Sequence, residues 1–344
     1  MIVREAEPRD DTALLRIESL SAQGDKIRLA DERTSFFHRA DKFERPIIMV
    51  GEDERTGAIR GVIAAAIIKV RVDGCYRTGA YVFDLRNNAE TSSGLSRALF
   101  FIWKKLEARL LDEGVEFLYG LVKEDNARSL GIAMRLGATP RGEKKFITQP
   151  VVRRMAVRKQ VQVAQDIDPL QDRARLEIHY KDHHLWPAMD DWDLLKRTYD
   201  NCVVAQLTCG RASVKLWDLS KEASQRVIKM PRTYEIAGHI TRVLERLLPI
   251  PHIPKLGEEV RTWFAVDVIG GNSPAELNAV MAQANNMARD AGAHYLIAAV
   301  DTGDPESRML RPSPLPPLRY KVMVLDYRPV PGLRGATYLD PRMM

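Results

Sequence analysis

The sequence predicts an α/β (α+β) protein built from two tandem copies of one unit, each a mixed, mostly antiparallel sheet with a central parallel strand pair flanked by helices. Three observations predict this fold class. The 344 residues, 45% hydrophobic and 28% charged, suffice for two domains of ordinary size, ~100 to 200 residues each. The segments "GVEFLYGLV" (residues 114–122) and "GAHYLIAAV" (residues 292–300) align without a gap at an offset of 178 residues. Each also follows a helix-length segment with apolar residues at helical spacing, so we interpret the chain as a duplication.

The first unit has the pattern of an antiparallel meander followed by alternating strands and helices. The turn signals "DERTG" and "DGCYRTG" join its long strand-like segments. The order strand, helix, strand, helix, strand that follows places a helix across a locally parallel strand pair. Strands are predicted at residues 2–5, 47–52, 61–72, 76–87, 117–122 and 139–147. Helices are predicted at residues 11–22, 94–113 and 126–136, with one more between Gly24 and Ala40.

The second unit begins after the mixed polar segment "KQVQVAQDIDPLQD", which we interpret as a linker. The predicted domains are therefore residues 1–158 and 173–344, joined by residues 159–172. Strands are predicted at residues 176–180, 202–208, 213–218, 260–269, 295–300 and 320–326. Helices are predicted at residues 186–199, 233–248 and 273–291, and the Pro-rich "PSPLPPLRY" is expected to be a loop before the last strand.

The composition argues against several classes of function. The formal charge is +6 and the pI is near 9.1, but the basic residues are dispersed among acids, so nucleic acid is not predicted as a partner. The longest aliphatic run, "GVIAAAII", is far shorter than the ~20 residues of a spanning helix, so no membrane association is predicted. The start "MIVREAEPRDD" has neither the basic nor the apolar segment of a secretory signal, and we expect a cytoplasmic location.

Metal and disulfide chemistry are not predicted either. Cys75, Cys202 and Cys209 are odd in number and lack both C-x-x-C spacing and a matching histidine pattern, so we expect ordinary thiols. The adjacent His183 and His184 would point in different directions on a helix or on a strand, so we do not expect them to hold a metal together.

The order of four segments in the first unit is similar to that in a known protein family. The segments are "VREAEPRDDTALLRI", "RGVIAAAI", "AYVFDLRNN" with "SSGLSRAL", and "DNARSLGIAMRLGATP". This order resembles the GCN5-related N-acetyltransferases (GNAT) over roughly the first 155 residues. The second half is more specifically similar to the C-terminal halves of the HOOKLESS-type N-acetyltransferases of plants, through "LPIPHIPKLGEEV", "VIGGNSPAELNAVMAQANNMARDAGA" and "VPGLRGATYLDPR". The resemblance implies two tandem GNAT-like domains, of which the first binds acetyl-CoA and the second is a degenerate copy that shapes the substrate cleft.

The resemblance implies that acetyl-CoA lies where the two parallel strands of the first unit part. Backbone groups near two residues of the first strand would pair with the amides of the pantetheine arm. The loop before the long helix would bind the pyrophosphate through amides at a helix N-terminus, and its glycine lets the backbone approach closely. The cofactor-binding residues so implied are Leu85, Asn87, Ser92, Ser93, Gly94, Leu95, Ser96, Asn126 and Ser129.

A purely structural role for these residues stays open. The family loop begins with Arg or Gln where this chain has Thr91, and the preceding Glu90 would repel phosphate. Ser92 or Ser93 would then only cap a buried helix. Asn126 would cap its own helix in either case, which is compatible with lining the cofactor exit.

The catalytic candidates are Asp84 and Glu124 as general bases near the strand ends and Tyr81 as a general acid. Carboxylates at strand ends are, however, more often solvated or ion-paired. Family members that use a tyrosine to protonate the leaving thiolate place it seven residues after the Asn, where this chain has Ala133. The acidic position of histone-type relatives corresponds to Ala80, so no base is carried over. Amine attack can still proceed, because positioning of the reactants supplies much of the rate. A missing general acid lowers the rate by only ~100-fold to 10,000-fold.

The stretch "IGGNSPAEL" stands in the second unit where the first has its phosphate loop. Ser273, Pro274 and Glu276 have the spacing of a capping box with proline at the first helical position. We therefore interpret it as a helix start in a degenerate domain, while a second cofactor site stays open.

These observations predict an acetyl-CoA-dependent N-acyltransferase that moves an acetyl group to an amine acceptor by direct attack in a ternary complex, without a metal. The alternative is a non-catalytic acyl-CoA-binding or scaffold protein that kept the fold after losing the acid and the basic loop. Both would bind CoA, but only the enzyme would release free thiol in proportion to an added amine. The sequence specifies neither the acceptor nor whether the protein is a homodimer.

Overall fold

One large mixed sheet carries both halves of the chain in the computed structural model. The residues that the structure describes are 1–20, 27–88, 97–220, 222–244, 250–329, 333 and 335–343. Within them the strands are β1 (Ile2–Glu5), β2 (Arg28–Arg33), β3 (Pro46–Glu52), β4 (Ile59–Val72), β5 (Cys75–Asn87), β6 (Phe117–Lys123), β7 (Thr139–Pro150), β8 (Gln162–Ala164), β9 (Trp186–Pro187), β10 (Val203–Cys209), β11 (Ala212–Asp218), β12 (Ala223–Lys229), β13 (Glu259–Val260), β14 (Thr262–Ile269), β15 (Tyr295–Asp301) and β16 (Leu318–Asp326).

Helices flank this sheet. They are α1 (Asp11–Leu20), α2 (Arg97–Asp112), α3 (Ala127–Arg135), α4 (Pro169–His179), α5 (Trp192–Cys202), α6 (Arg232–Leu244), α7 (Pro274–Asp290) and α8 (Glu306–Met309), with short 3-10 helices at Pro8–Asp10, Phe36–Lys42 and Pro341–Met343. Across the described part of the chain, no helix is both long enough and apolar enough to cross a bilayer.

The two halves of the chain exchange their last strands at the centre of the sheet. The strand order is β1-β3-β4-β5-β6-β16-β7-β15-β14-β11-β10-β8, and β9 pairs with β4 off this path. Strand β16 of the second half lies between β6 and β7, and β7 pairs with β15 on its other side. The pairs β5–β6 and β14–β15 are parallel. Each half thus contains the predicted central parallel pair, and the outer edge of that pair is covered by a strand from the other half.

Corresponding elements of the two halves support the predicted duplication. The second strand of each parallel pair, β6 or β15, follows a long helix, α2 or α7. The first strand of each pair carries an irregularity in its pairing at a residue with left-handed backbone, Asp84 (φ 46°) in β5 and Asp267 (φ 49°) in β14. Two strands with an aspartate in the same rare conformation at the same place point to one ancestral unit.

Buried apolar residues cover both faces of the first half. Helix α2 packs Leu99 and Ile102 onto one face, as its predicted helical spacing requires. Helix α1 and the 3-10 helix Phe36–Lys42 cover the other face, where Val322 and Val324 of β16 join the core. The second half has its own core under α7, which includes a residue of β7. The exchanged strands therefore contribute to the core of the opposite half.

The helix predicted between Gly24 and Ala40 is wrong for the described residues. Strand β2 pairs antiparallel with β12, with Asp31 opposite Gln225, in a separate three-stranded sheet that also contains β13. The 3-10 helix Phe36–Lys42 follows, and Ser35 caps it by accepting from the amide of Phe37. Pairing with a strand far along the chain overrides the local helical pattern, which a single sequence window does not reveal.

Two predicted elements of the second half are also wrong. Residues 176–180 are the end of α4, because Asp168 caps that helix through the amide of Leu170 at 2.9 Å and proline occupies its first position. The helix predicted from residue 186 begins only at Trp192, because β9 pairs with β4 first. The predicted linker, residues 159–172, contains β8 and the start of α4. The domain limits 1–158 and 173–344 stay a prediction.

The approach of β5 to β6 gives a test of the packing. A methyl group on Gly79 would lie 2.8 Å from the ring of Phe117, which is fully buried. We expect Gly79→Ala to lower the free energy of unfolding by ~1 to 3 kcal/mol, because a filled core has no room for the added carbon. Gly131→Ala in α3 is the matched control, since its methyl group meets no atom within 4 Å. Thermal unfolding of both variants checks this, and equal melting temperatures would contradict it.

Candidate functional site

The parallel strands β5 and β6 pair over only three residues and then part. The register joins residues 79–81 to residues 117–119, and the pairing stops there. Beyond it, β5 continues to Asn87 along β4, while β6 continues to Lys123 along β16. Gly120 lies at the branch point, and a Cβ there would be 3.1 Å from the carbonyl oxygen of Val82. The separated C-terminal halves of the two strands form a notch, which we call the β5–β6 notch.

A strained residue stands beside this notch. The pairing of β4 with β5 shifts register between Val62 and Ala64, opposite Phe83 and Arg86, and Asp84 lies in the interrupted part with φ 46°. A left-handed backbone is costly for a residue with a Cβ, so contacts around Asp84 must hold it in place.

A buried ionic cluster supplies those contacts. The Asp84 carboxylate lies 3.2 Å from Arg33, 3.5 Å from Arg39 and 3.2 Å from Arg86. Glu18 of α1 lies 2.8 Å from both Arg33 and Arg86. We call these five residues the Asp84 cluster. It ties α1, β2 and the Phe36–Lys42 helix to the irregular part of β5.

The cluster shifts the pKa values of its two carboxyl groups in opposite directions. Burial would raise the pKa of Asp84, but Arg39, Arg33 and Arg86 outweigh it and hold the pKa well below the usual range. For Glu18, burial prevails over Arg33 and Arg86, and its pKa is raised. A carboxylate with a depressed pKa is a poor proton acceptor at neutral pH. The geometry therefore favours an electrostatic role for Asp84 over the predicted role as a base.

Tyr81 touches the cluster through Arg39. Its hydroxyl accepts from Arg39 Nη2 at 3.2 Å and donates to the carbonyl oxygen of Met343 at 3.3 Å. The ring packs between Phe83 and Tyr119, with centroids 5.5 and 5.7 Å away. Burial raises the pKa of Tyr81 although Arg39 opposes this, so the phenol keeps its proton at neutral pH. The structure thus joins Tyr81 and Asp84 through their shared contact with Arg39.

The remaining predicted residues of this region lie around α3. Asn126 caps the helix, and its Oδ1 accepts from the amide of Ser129 at 3.0 Å, as predicted. Ala133 lies half-buried in the last turns of this helix. Glu124 is exposed and pairs with Lys321 at 3.1 Å, apart from Tyr81 and Asp84. The solvated alternative therefore fits Glu124 better than a catalytic one.

The predicted cofactor residues are only partly described. Leu85 is half-buried and packs beside the core under α2, and Asn87 stands opposite Gly61 of β4. The predicted phosphate loop lies outside the described residues, which resume at Arg97, the first residue of α2. Its members are Ser92, Ser93, Gly94, Leu95 and Ser96.

In the second half, side chains of the protein itself occupy the place that corresponds to the phosphate loop. The amide of Gly270, in the place of the phosphate loop, donates to Glu306 of α8 at 2.8 Å. A Cβ on Gly270 would lie 2.7 Å from Met309 Sδ. Ser273 caps α7 by accepting from the amide of Glu276. Because the carboxylate of Glu306 already accepts from the amide of Gly270, a phosphate has no place there. This supports the interpretation of the second half as a degenerate domain.

The second aspartate is also satisfied internally. Asp267 pairs with buried Lys215 at 2.9 Å and accepts from the hydroxyl of Tyr338 at 2.9 Å. Despite burial, Asp267, Tyr199 and Asp172 raise the pKa of Lys215, so it stays charged. The adjoining cavity measures about 40 Å³, room for a few waters and far too small for a cofactor arm.

The arginines and the glutamate of the Asp84 cluster were not predicted from the sequence. Arg33 and Arg39 lie in the segment that was predicted as a helix, and Glu18 lies on the buried side of α1. An acid within an otherwise apolar helical stripe is a signal that could have revealed Glu18, because such residues are rarely buried unless paired.

Comparison with known proteins identifies the fold. No family model matches the chain, and no curated protein matches its sequence. The N-myristoyltransferase of Saccharomyces cerevisiae with bound myristoyl-CoA matches at TM-score 0.63 and 9% identity, over 98% of this chain and 85% of that one. A GCN5-related N-acetyltransferase from Kribbella flavida matches at TM-score 0.53 and 11% identity, over 94% and 70%. A probable N-acyltransferase from Enterococcus faecalis matches at TM-score 0.52 and 10% identity, over 94% and 72%.

At these identities the similarity establishes the fold alone. The mixed sheet, its flanking helices and the two related halves are those of the GCN5-related N-acetyltransferase fold, and the two-part arrangement matches the N-myristoyltransferase structures. The fold class predicted from the sequence is confirmed. The specific similarity to HOOKLESS-type proteins stays a prediction.

The Asp84 cluster gives a test of what holds the notch open. Asp84→Asn would leave three buried guanidinium groups facing one carboxylate, and we expect it to lower the free energy of unfolding by about 3 kcal/mol or more at pH 7. Because the folded pKa is depressed, this difference should stay constant from about pH 8 to 5 and shrink at lower pH. Glu124→Gln is the exposed control and should change stability by less than ~0.5 kcal/mol. Chemical unfolding between pH 3 and 8 measures both, and equal losses would contradict the expectation.

Proposed function

We propose that this chain, which has the GCN5-related N-acetyltransferase fold, is an acetyl-CoA-dependent N-acyltransferase. The β5–β6 notch is the observation that carries the proposal, because two parallel strands that part beside a strained residue leave space for an extended, amide-bearing ligand. The yeast N-myristoyltransferase structures of this fold hold myristoyl-CoA. We place the pantetheine arm of the cofactor in the notch and its pyrophosphate at the loop before α2.

The notch suits such an arm for a physical reason. Strand backbone presents amide and carbonyl groups at its edge, and pantetheine carries two amides that can pair with them as an added strand would. Leu85 and Asn87 of β5 would line one side, and the half-buried end of β6 would line the other. Asn126 and Ser129 at the start of α3 would lie toward the exit of the arm.

In this proposal the acceptor amine attacks the thioester carbonyl carbon directly. The nitrogen forms the new amide bond, the C–S bond breaks, and the proton lost by the nitrogen ends on the CoA sulfur. The Asp84 cluster holds three guanidinium groups against two carboxylates, so its net positive charge would stabilise the negative charge that develops on the carbonyl oxygen and then on sulfur. Tyr81 keeps its proton and would be the nearest candidate acid. No metal enters these steps.

Packing supports the choice of an acetyl group. Aromatic side chains fill the face of the sheet beside the notch, where Tyr81, Phe83 and Tyr119 are each at most 6% exposed. A short acyl group fits beside such a filled core more readily than a long chain. We expect a cytoplasmic enzyme with an amine-bearing acceptor. The acceptor would reach the site over the exchanged strands β7 and β16.

A second candidate function is a non-catalytic acyl-CoA-binding protein. Ala133 favours it, because α3 offers a methyl group where relatives with an acid place a phenol. The depressed pKa of Asp84 favours it as well, because it makes this carboxylate a poor proton acceptor at neutral pH. Binding without turnover is the outcome that would support this candidate.

The notch is tested with a ligand panel on the full chain. Calorimetry with acetyl-CoA, myristoyl-CoA and free CoA should give the tightest or equal binding for acetyl-CoA, and an amine panel should release thiol. Gly120→Val should weaken acetyl-CoA binding at least ~10-fold, because its side chain projects beside Val82 at the branch of the notch. Gly142→Ala on β7 is the control, since its methyl group makes only ordinary contacts. Undiminished binding by Gly120→Val would move the site elsewhere.

Ala133 separates the two candidate functions. If thiolate departure limits turnover, Ala133→Tyr should raise the rate of thiol release by as much as ~100-fold, provided that the ring fits. Ala133→Phe is the matched control, because it adds the same ring without an acidic hydroxyl. Both variants need a check of folding, since overpacking costs ~1 to 3 kcal/mol. If the parent and the tyrosine variant both bind acetyl-CoA but release no thiol with any amine, the binding-protein candidate is correct.

A further inference from the structure

Two histidines and a glutamate converge beside the N-terminal ends of β14 and β15. His252 Nε2 is 2.6 Å from Glu258 Oε1, and the rings of His252 and His294 stack with centroids 4.5 Å apart. Ligand atoms of all three residues lie within 4.8 Å of one another. Within the described residues this is the one group of three or more such side chains with this spacing.

The backbone near each of the three residues is fixed by hydrogen bonds. The second oxygen of Glu258 accepts from the amide of Lys255 at 2.8 Å, which closes the turn between the two. The hydroxyl of Tyr295 donates to the carbonyl oxygen of His252 at 2.9 Å. The amide of His294 donates to Arg261 at 2.8 Å. The segments that carry the three side chains are therefore held together next to the N-terminal ends of β13, β14 and β15.

We propose that His252, Glu258 and His294 form a zinc-binding site. Two imidazole nitrogens and one carboxylate oxygen are a donor set that zinc takes at ~2.0 to 2.2 Å, with a fourth position left for water. Ligand atoms around one zinc ion lie roughly 3.3 Å apart, so donors now within 4.8 Å need to move by about 1 Å. The ion would replace the hydrogen between His252 and Glu258, and that proton would pass to solvent.

The stacked rings have to turn, because each imidazole nitrogen donates in the plane of its ring, and at least one contact of His294 has to change for it to bind. Its Nδ1 accepts from the amide of Arg261 at 3.2 Å, a long hydrogen bond. Either Nδ1 gives up this bond and coordinates the ion, or Nδ1 takes the proton and Nε2 coordinates. All three side chains are half-buried, so an ion can enter from solvent and keep a water molecule.

The position of the site indicates a structural ion. His294 directly precedes β15 and Arg261 directly precedes β14, so the site lies at the N-terminal ends of that parallel pair. The β5–β6 notch lies at the C-terminal ends of the other pair. A bound ion would fasten the segment from His252 to Glu258 onto the sheet, and it would take no part in acyl transfer.

The test uses the full chain after chelation. Dialysis against micromolar zinc followed by elemental analysis should give about one zinc per chain, and cobalt should give the visible absorption of a four-coordinate ion. The variants His252→Ala, Glu258→Gln and His294→Ala should each weaken zinc binding by more than the ~10- to 100-fold that the loss of an outer hydrogen-bond partner costs. Zinc should also raise the melting temperature of the parent protein but not of the three variants.

His183→Ala is the matched control. His183 pairs with Asp304 at 2.7 Å, as His252 does with Glu258, but among the described residues no third donor lies within the same spacing of that pair. This variant should bind zinc as the parent does. The proposal is overturned if the parent binds no zinc at micromolar concentration, or if the three variants bind it as tightly as the parent. Glu258→Gln keeps the shape of the side chain, so it decides the matter should either alanine variant fail to fold.

Discussion

The antiparallel pair formed by β7 and β16 is the interaction on which the rest of the structure depends. Each of these strands has both of its neighbours in the other half, so no sheet edge separates the halves. Buried Lys144 of β7 reinforces the junction, because its ammonium group contacts Asp301 at 2.8 Å and the carbonyl oxygen of Thr337. One wall of the β5–β6 notch, β6, is therefore held in place by a strand of the second half.

The same backbone irregularity, an aspartate with left-handed φ, has different surroundings in the two halves. Asp84 and Asp267 share a left-handed conformation at corresponding points of their strands. The first is held by arginines that leave a net positive charge next to the β5–β6 notch, whereas the second is held by Lys215 and Tyr338 next to a nearly filled space. After a duplication, internal side chains such as Glu306 can fill one copy of a site, and in the proposed function the other copy keeps the ligand role.

The sequence predicted the features that are local or periodic. The alternating strands, the buried stripe of α2 and the capped start of α3 each follow from a few neighbouring residues, and the repeat predicted the duplicated fold. The errors lie where distant pairing decides the structure, as for β2 against β12, and where a cap such as Asp168 overrides an apolar run. Neither the strand exchange nor the Asp84 cluster nor the convergence of His252, Glu258 and His294 has a local signature, because their members come from separate segments of the chain.

The exchange of strands also has a consequence for synthesis of the protein. Strand β6 ends at Lys123, but its neighbour β16 begins only at Leu318. At the usual pace of translation, about 200 further residues take roughly 10 to 40 s to appear on the ribosome. During that interval the nascent chain carries an apolar strand with an unpaired edge, which other unfinished chains could join. Because β16 is the last long strand, the sheet is complete only when nearly the whole chain has been made. A chaperone that protects the edge of β6 until then would be advantageous.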